Sequence, residues 1–251
     1  MIYPGVLALL LLTGIVWLLP VSFSAVSGNG IWSSAAFWLT QSAGTYGTFI
    51  IIIFTSYCYT IRMEVRREKW RTFLRSLIAL SLFTASLAFI NEHVTKLLLK
   101  EARPSHQYLL TRSKALDKLD SLYSLQTSLR AGYFEQLITG DTLLFKDINS
   151  RVLHHWIEEA GYSFPSGHSF NAFLLATVIA FSLARSSQRI WKQLYAIPFI
   201  WAVLVAISRV ALGAHTPLDV SAGAAMGLTV ATLFLYFDKT RKLIIHKKQL
   251  V

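Results

Sequence analysis

The chain has 251 residues, of which 54% are hydrophobic and only 15% are charged. Soluble domains carry about 25% charged residues, so this composition argues against an ordinary water-soluble fold. A chain this apolar, with 13% aromatic residues, does not have the composition of a disordered protein either. The formal net charge of +11 leaves two classes open: a nucleic-acid binder, or a membrane protein with positive loops on one side.

Six apolar segments are long enough, or nearly so, to be transmembrane helices, which need about 20 residues. They cover about residues 3–23, 46–61, 73–98, 169–183, 194–212 and 218–237. No positive residue precedes the first segment, so we expect it to be a retained span and not a cleaved signal peptide. The predicted fold is an all-α, six-helix membrane bundle, forming one domain over residues 1–251. In the sixth span, the spacing of Gly223 and Gly227 permits close helix packing.

The excess of positive charge lies on alternate loops between the predicted spans. The loops after spans two, four and six carry 14 basic and three acidic residues, whereas the loop at about 100–163 carries eight of each. An excess of lysine and arginine marks the cytoplasmic side of a membrane protein. We therefore expect both termini to be cytoplasmic, with the 100–163 loop and the 213–217 turn on the outer side. Nucleic-acid binding is disfavoured, because the basic loops are short and lie against the membrane.

The 100–163 loop is expected to be partly helical. Its leucines recur at roughly helical spacing among charged residues, at Leu109, Leu116, Leu119, Leu122 and Leu129. Two interpretations stay open: an amphipathic helix lying on the membrane surface, or a helical hairpin that packs on itself.

Two cations are predicted near the outer end of the third span. Lys96 and Arg103 are two helical turns apart and would share one face of a helix that Pro104 ends. A lone lysine in this place would be explained by its reach toward lipid headgroups. Two cations on one face are more typical of a site that holds an anion.

A second polar cluster, Pro165-Ser166-Gly167-His168, leads into the fourth span. A helix start offers free N–H groups and a positive dipole end, which together bind anions. Ser166 can donate its hydroxyl, Gly167 lets the backbone approach a ligand closely, and His168 can deliver a proton near neutral pH. A serine that merely caps the helix explains Pro-Ser-Gly equally well.

A third cluster joins spans five and six. Arg209 carries a permanently charged fork that suits phosphate oxygens. His215 and Asp219 are four residues apart around a helix start marked by Pro217. A carboxylate on one imidazole nitrogen fixes the tautomer and makes the other nitrogen a better nucleophile. Asp219 has a rival role, because Thr216 and Asp219 also fit a capping box.

Together the clusters supply three cations, a helix start with serine and glycine, two histidines and one orienting carboxylate, all at the same predicted face. This set is typical of phosphoryl transfer through a histidine, with charge stabilisation by side chains. The set resembles the signature motifs of the type 2 phosphatidic acid phosphatase family. These motifs are Lys96-x6-Arg103-Pro104, Pro165-Ser166-Gly167-His168 and Ser208-Arg209-x5-His215-x3-Asp219, complete and in order.

The resemblance implies a role for each motif residue. His215 would attack phosphorus and form a phosphohistidine, oriented by Asp219. His168 would protonate the leaving oxygen and then activate water. The phosphate oxygens would be held by Lys96, Arg103, Ser166, Gly167 and Arg209. The resemblance implies no metal and no cofactor.

The resemblance also implies the substrate class, a lipid phosphate in the bilayer of a bacterial inner membrane. Family members of this type act on phosphatidylglycerophosphate, phosphatidate, lysophosphatidate, diacylglycerol pyrophosphate and undecaprenyl diphosphate. The motif residues would contact only the phosphate, so they do not indicate which of these lipids is the substrate. One alternative is an enzyme dedicated to undecaprenyl diphosphate. A more distant one is an anion transporter, which would not need the His215–Asp219 pair.

Overall fold

A computed structural model gives the architecture of the chain. It describes residues 3–18, 30–60, 63–184 and 193–241, and all regular structure in these ranges is helical. The predicted all-α class is therefore confirmed. Parts of the predicted features lie outside the described residues: the ends of the first two spans, at 19–23 and 61, and the basic residues Arg62, Arg185, Arg189, Lys192, Lys242, Lys247 and Lys248.

The helices before the 100–163 loop are α1 (Tyr3–Leu18), α2 (Ile31–Ser42), α3 (Thr45–Cys58) and α4 (Arg66–Ile90). A π-helical turn over Asn91–Thr95 joins α4 to the short α5 (Lys96–Leu99). The loop region contains α6 (Pro104–Arg112), α7 (Leu119–Ser124), α8 (Thr127–Gly140) and α9 (Ser150–Glu158). The last three helices are α10 (Gly167–Ala184), α11 (Ile197–Ala211) and α12 (Pro217–Arg241).

The central helix of the bundle is α10, which packs against α3, α11 and α12. Four consecutive residues of α10, Phe173 to Ala176, are fully buried. Consecutive residues point in different directions around a helix, so neighbours cover α10 on every side. The N-terminal end of α10, which carries the second polar cluster, is therefore continuous with a closely packed helix.

Gly223 and Gly227 let α12 approach α10 closely. A Cβ atom on Gly223 would lie 2.4 Å from the carbonyl oxygen of Ser166, and one on Gly227 would lie 2.2 Å from that of Phe170. Both distances are far below a van der Waals contact, so the two backbones meet where only glycine fits. The predicted close packing at this glycine pair is thus present, and it reaches Ser166 in the second cluster.

Three helices in the described residues are long and apolar enough to cross a membrane: Arg66–Leu99, Gly167–Ala184 and Pro217–Phe237. The pair α2 and α3 would make a fourth span if counted together, and α1 and α11 are apolar but shorter. Large apolar side chains are exposed on several of these helices, as at Leu10, Phe54 and Leu82. Such an exposed apolar surface is typical of contact with lipid. The six-span count stays a prediction.

The predicted second span, at 46–61, belongs to a larger bent unit. Helices α2 and α3 meet at an angle of 57°, with the break at Ala43 and Gly44. The sequence interpretation missed α2, because Ser33, Ser34, Thr40, Gln41 and Ser42 dilute its apolar character. Thr40 and Ser33 are nevertheless buried, and the Thr40 hydroxyl lies 2.8 Å from the Ser208 hydroxyl on α11.

The 104–158 region, comprising α6 to α9, packs around an apolar core to which Ala36 and Leu212 also contribute. Leu109, Leu110, Phe134 and Trp156 are almost completely buried there. Neither predicted form of the 100–163 loop is exact: Leu116 and Leu129 are exposed, and four short helices replace a single surface helix or a hairpin. The region is fixed to the bundle by Trp156, whose Nε1–H donates to the Leu212 carbonyl oxygen at 2.7 Å.

Candidate active site

The three predicted clusters meet at one end of the bundle. The Ser166 N–H donates to the carbonyl oxygen of Asp219 at 3.0 Å, which joins the start of α10 to the first turn of α12. The Ser163 N–H donates to the carbonyl oxygen of Glu101 at 2.9 Å, which joins the same segment to the residues after α5. The ends of α5, α10, α11 and α12 therefore surround a common site.

The geometry predicted for Lys96 and Arg103 is wrong. The helix ends at Leu99, and Lys100 takes the left-handed conformation with φ of 51°. Arg103 has extended backbone and precedes α6, in which Pro104 occupies the first turn. Pro104 therefore starts a helix instead of ending one, which agrees with the preference of proline for the first helical turn. The two cations do not share a helix face, because the helix that carries Lys96 ends before Arg103.

Arg103 is almost completely buried and is held by backbone carbonyls. Its Nε donates to the carbonyl oxygen of Gly161 at 3.0 Å, and its Nη1 donates to that of Ala214 at 3.1 Å. Nη1 also lies 2.7 Å from a Glu159 carboxylate oxygen and 3.3 Å from Nε2 of His215. Several fixed acceptors leave the guanidinium little freedom, so its charge has a defined position beside His215.

His215 lies between Asp219 and Arg103. Its Nδ1 is 3.3 Å from the Asp219 carboxylate oxygen Oδ2, and its Nε2 faces the Arg103 guanidinium. The carboxylate favours a proton on Nδ1, which leaves Nε2 unprotonated with its lone pair facing the Arg103 guanidinium. Both side chains are buried. The pair therefore has the arrangement of an oriented nucleophile.

Asp219 also serves the rival role predicted from the sequence. Its Oδ2 accepts a hydrogen bond from the Thr216 N–H at 2.8 Å, and the Asp219 N–H donates to the Thr216 hydroxyl at 3.2 Å. This reciprocal pair is a capping box. Oδ2 further accepts from the Ser163 hydroxyl at 2.8 Å. The cap and the imidazole contact are thus compatible, because the same oxygen takes part in both.

Arg209 is completely buried at the end of α11. Its Nη1 donates to Nε2 of His155 at 2.9 Å, and its Nη2 donates to the Glu159 carboxylate. Glu159 therefore bridges Arg209 and Arg103. Burial chiefly lowers the pKa of His155, to about 4, so its ring is neutral at pH 7 and can accept from Arg209.

The second cluster begins α10. The Ser166 hydroxyl lies 3.1 Å from that of Ser169, and Gly167 is the first residue of the helix. Backbone N–H groups in a first helical turn have no partner within the helix. The His168 side chain is 22% exposed, and its Nδ1 lies 3.9 Å from Glu159. Its Nε2 is 3.6 Å from where a Cβ on Gly44 would lie. The bend between α2 and α3 therefore lies next to His168 and borders the site there.

Lys96 stands at the edge of the site. Its side chain is 7% exposed, and its Nζ donates to the Glu92 carboxylate at 2.7 Å. Glu92 is half exposed, whereas Lys96 is close enough to Arg103 and Glu159 to interact with their charges. Lys96 therefore adds a third positive charge to those of Arg103 and Arg209.

Glu159 is the main site residue that the sequence interpretation missed. Burial alone would raise the pKa of this carboxyl, but Arg209 and Arg103 outweigh burial and hold the pKa well below its usual value. Glu159 is therefore ionised at neutral pH. One signal was available, the four-residue spacing of His155 and Glu159, but eight acids in the 100–163 loop made this residue hard to single out.

A relay of hydrogen bonds connects Arg103 to the 104–158 region. The Arg103 N–H donates to the Tyr123 hydroxyl at 2.8 Å, and that oxygen lies 2.7 Å from Nδ1 of His106. His106 Nε2 lies 3.1 Å from the Trp156 carbonyl oxygen and donates to it. Chiefly because of burial, the pKa of His106 falls to about 3, so the ring stays neutral and Nδ1 can accept from Tyr123.

This relay predicts a loss of stability in weak acid. The pKa of His106 is about 3 in the folded chain, against about 6.5 for an unperturbed histidine. Between these values the unfolded chain binds the extra proton, so stability falls as the pH decreases below about 6.5. The melting temperature in detergent should therefore drop between pH 7 and pH 5. His106→Gln does not titrate and should reduce this dependence, with the part due to His155 remaining; an unchanged pH slope would contradict the relay.

Chemically, the site can hold a tetrahedral oxyanion beside a nucleophilic nitrogen. Arg103, Arg209 and Lys96 supply positive charge, and the first turn of α10 supplies N–H donors. His215 presents an imidazole nitrogen of the kind that can act as a nucleophile, and the His168 side chain is partly exposed. In the described part of the chain, no group of three or more histidine, cysteine, aspartate or glutamate side chains is arranged to hold a metal ion.

Comparison with known proteins identifies the family. Residues 74–243 match the PAP2 superfamily. The chain is 31% identical over 186 residues to phosphatidylglycerophosphatase B of Bacillus subtilis (66% of this chain, 92% of the relative). It is 27% identical over 154 residues to the protein of that name in Haemophilus influenzae (61% of each chain). Over 79 residues it is 38% identical to an undecaprenyl-diphosphatase of Sulfolobus acidocaldarius (32% of this chain, 35% of the relative). The chain therefore belongs to the PAP2 superfamily of phosphatases.

Proposed function

We propose that this protein is a membrane lipid phosphatase that hydrolyses phosphatidylglycerophosphate to phosphatidylglycerol and phosphate. The observation that carries the proposal is His215, held by Asp219 at Nδ1 and facing Arg103 with Nε2. Relatives named phosphatidylglycerophosphatase B support this substrate. Phosphatidate, lysophosphatidate and diacylglycerol pyrophosphate present the same terminal phosphate and are proposed as further substrates.

In the first step, Nε2 of His215 attacks phosphorus. The phosphorus–nitrogen bond forms as the bond to the lipid oxygen breaks, and His168 gives its proton to that oxygen. The Nδ1 proton stays on the ring, where Asp219 balances the positive charge of the phosphorylated imidazole. The lipid alcohol leaves, and the phosphoryl group remains on His215.

In the second step, water replaces the histidine. His168, now neutral, takes a proton from the water while the water oxygen attacks phosphorus. The phosphorus–nitrogen bond breaks, Nε2 recovers its lone pair, and inorganic phosphate leaves. The cations Lys96, Arg103 and Arg209 hold the phosphate oxygens in both steps, together with the Ser166 hydroxyl and the N–H of Gly167. This scheme requires no metal ion.

The bacterial relatives and the membrane-spanning helices favour a bacterial membrane protein. We propose the cytoplasmic (inner) membrane as its location, with both termini cytoplasmic and the site at the outer face. The support is the charge of the loops: the excess of basic residues is on the loops opposite the site. A lipid in the outer leaflet would then present its phosphate to the site from the side.

The proposal is tested by phosphate release from a panel of lipid phosphates in detergent, with and without EDTA. We expect hydrolysis of phosphatidylglycerophosphate that survives EDTA. Loss of all activity in EDTA would contradict the metal-independent scheme, and absence of hydrolysis on every lipid would contradict the function itself.

A second candidate function keeps the chemistry and changes the lipid to undecaprenyl diphosphate. The observation in its favour is the similarity to the undecaprenyl-diphosphatase of Sulfolobus acidocaldarius. That match covers less of the chain than the match to the Bacillus subtilis relative. A comparison of kcat/KM on the two lipids decides between them, because specificity is a difference in transition-state stabilisation.

Glu159→Gln should strengthen inhibition by inorganic phosphate. The Glu159 carboxylate contacts both Arg103 and Arg209, which in the proposed function hold the phosphate. Removing this charge leaves more positive potential for an anion, so we expect the inhibition constant to fall by about tenfold. Glu158→Gln is the matched control, because Glu158 is exposed and pairs with His154 instead. Unchanged or weaker inhibition in the Glu159 variant would contradict the bridge.

A further inference from the structure

The π-helical turn between α4 and α5 aligns Asn91 with Lys96. The Lys96 N–H donates to the Asn91 carbonyl oxygen, a bond across five residues. In a regular α-helix, residues five apart point in clearly different directions, whereas the wider π turn stacks them. Asn91 and Lys96 are accordingly the two buried residues of the 91–99 stretch, at 8% and 6% exposure. Asn91 therefore faces the site one turn deeper in the bundle than Lys96.

The Asn91 carboxamide points at the start of α10. Its Nδ2 lies 3.5 Å from the position that a Cβ on Gly167 would take. Gly167 is the first residue of α10, directly before His168. The amide N–H₂ is thus placed beside the segment that binds phosphate in the proposed function.

The oxygen of this carboxamide has no hydrogen-bond partner among the described residues. The Oδ1 atom is buried, and Nδ2 faces the backbone at Gly167. Buried polar groups are nearly always hydrogen-bonded, and an unpaired one destabilises the fold. An amide that only holds helices together would be bonded to one of them. Asn91 is therefore better explained by a ligand than by the fold.

The position of Asn91 indicates which part of the ligand it meets. Lys96 lies near the end of the Arg66–Leu99 helix and Asn91 lies farther inside it, toward the apolar part of the bundle. The chains of a lipid substrate extend in that direction, so the oxygen that joins phosphorus to the lipid lies on the Asn91 side of the phosphate. His168, which would protonate this oxygen, follows Gly167 directly.

We propose that Asn91 binds the leaving oxygen of the substrate, donating from Nδ2 to the oxygen between phosphorus and the departing group. The proposal rests on the proposed phosphatase function. In the transition state this oxygen gains negative charge, and the hydrogen bond strengthens. Asn91 is then a substrate-contacting residue outside the three sequence motifs, and it acts on the leaving group more than on the transferred phosphoryl group.

The test uses Asn91→Leu, which keeps the size of the side chain and removes the donor. Two soluble esters with the same ring, phenyl phosphate and p-nitrophenyl phosphate, differ in how much charge the leaving oxygen must carry. We expect kcat/KM to fall by about tenfold on phenyl phosphate and on lysophosphatidate, and by less than about twofold on p-nitrophenyl phosphate. Val94→Ala, on the exposed side of the same turn, should leave all three values unchanged.

The outcomes separate this inference from the proposed function. Equal losses on both aryl esters, or no loss, overturn the contact with the leaving oxygen. A lower melting temperature with loss of activity on every substrate overturns it too, because Asn91 would then be structural; the proposal predicts a melting temperature at least equal to that of the unmodified chain. Failure of the unmodified chain to hydrolyse any ester contradicts the phosphatase function instead.

Discussion

His215→Ala is expected to abolish phosphate release from phosphatidylglycerophosphate, with a loss of at least about a thousandfold in kcat. The imidazole lies between an orienting carboxylate and a buried guanidinium, with Asp219 at Nδ1 and Arg103 at Nε2. Alanine removes the proposed nucleophile, and neither neighbour can replace it, because a carboxylate held in a capping box and an arginine do not form the phosphoryl–nitrogen bond. Phosphate release in detergent measures the loss.

Trapping the proposed phosphohistidine tests the role of His215 directly. The unmodified chain, quenched in base during turnover of labelled substrate, should carry phosphate on a histidine, and His215→Ala should carry none. His154→Ala is the control, since His154 is exposed on α9 and contacts Glu158 outside the site. Turnover close to that of the unmodified chain, or equal labelling of both proteins, would refute the assigned nucleophile.

Gly223→Ala should damage stability and activity together. The new methyl group would lie 2.4 Å from the Ser166 carbonyl oxygen, which belongs to backbone and cannot rotate away. The clash must push α12 from the start of α10, where the Ser166 N–H donates to the Asp219 carbonyl oxygen. Overpacking of this kind costs about 1–3 kcal/mol or more, and here it also displaces two site residues. We expect a lower melting temperature and a kcat reduced by at least about tenfold.

Gly132→Ala provides the matched control. Gly132 lies inside α8, and a Cβ built on it meets no atom within 4 Å. Alanine is favoured over glycine in helices by about 1 kcal/mol, so this variant should be as stable as the unmodified chain or slightly more stable. If Gly223→Ala behaved like Gly132→Ala, the close approach of α10 and α12 would be disproved.

The sequence was most informative where an element is long and uniform. The apolar runs that became α4, α10 and α12 stand out because each is buried or lipid-facing over its whole length. It was least informative where apolar and polar residues mix over short distances. α2 contains serine, threonine and glutamine that find partners only after folding, as Thr40 does at Ser208. No local pattern reveals such a contact across the fold.

At the site, the contact of His215 with Asp219 was predicted from the sequence, whereas the geometry of Lys96 and Arg103 was not. Lys96 and Arg103 were assigned to one helix, although the helix ends at Leu99. A left-handed lysine at position 100 has no sequence signal of its own, because glycine or asparagine usually takes that conformation. Glu159 and Asn91 lie outside the motifs, and their surroundings are made by segments distant in sequence. Their placement depends on tertiary packing, which single-residue patterns do not encode.

The length of the helical run from Arg66 to Leu99 separates the basic end of the chain from the candidate site. Its 34 residues extend about 50 Å at 1.5 Å per residue, well beyond the roughly 30 Å of a bilayer core. The basic end, with Arg66, Arg67 and Lys69, is therefore about 40 Å from Lys96, several times the Debye length of about 8 Å in physiological salt. Salt therefore screens each charged surface from ions that approach the other. In the proposed function, encounter with a lipid phosphate then depends on diffusion in the plane of the membrane and on the few charges at the site, and the basic end contributes little attraction.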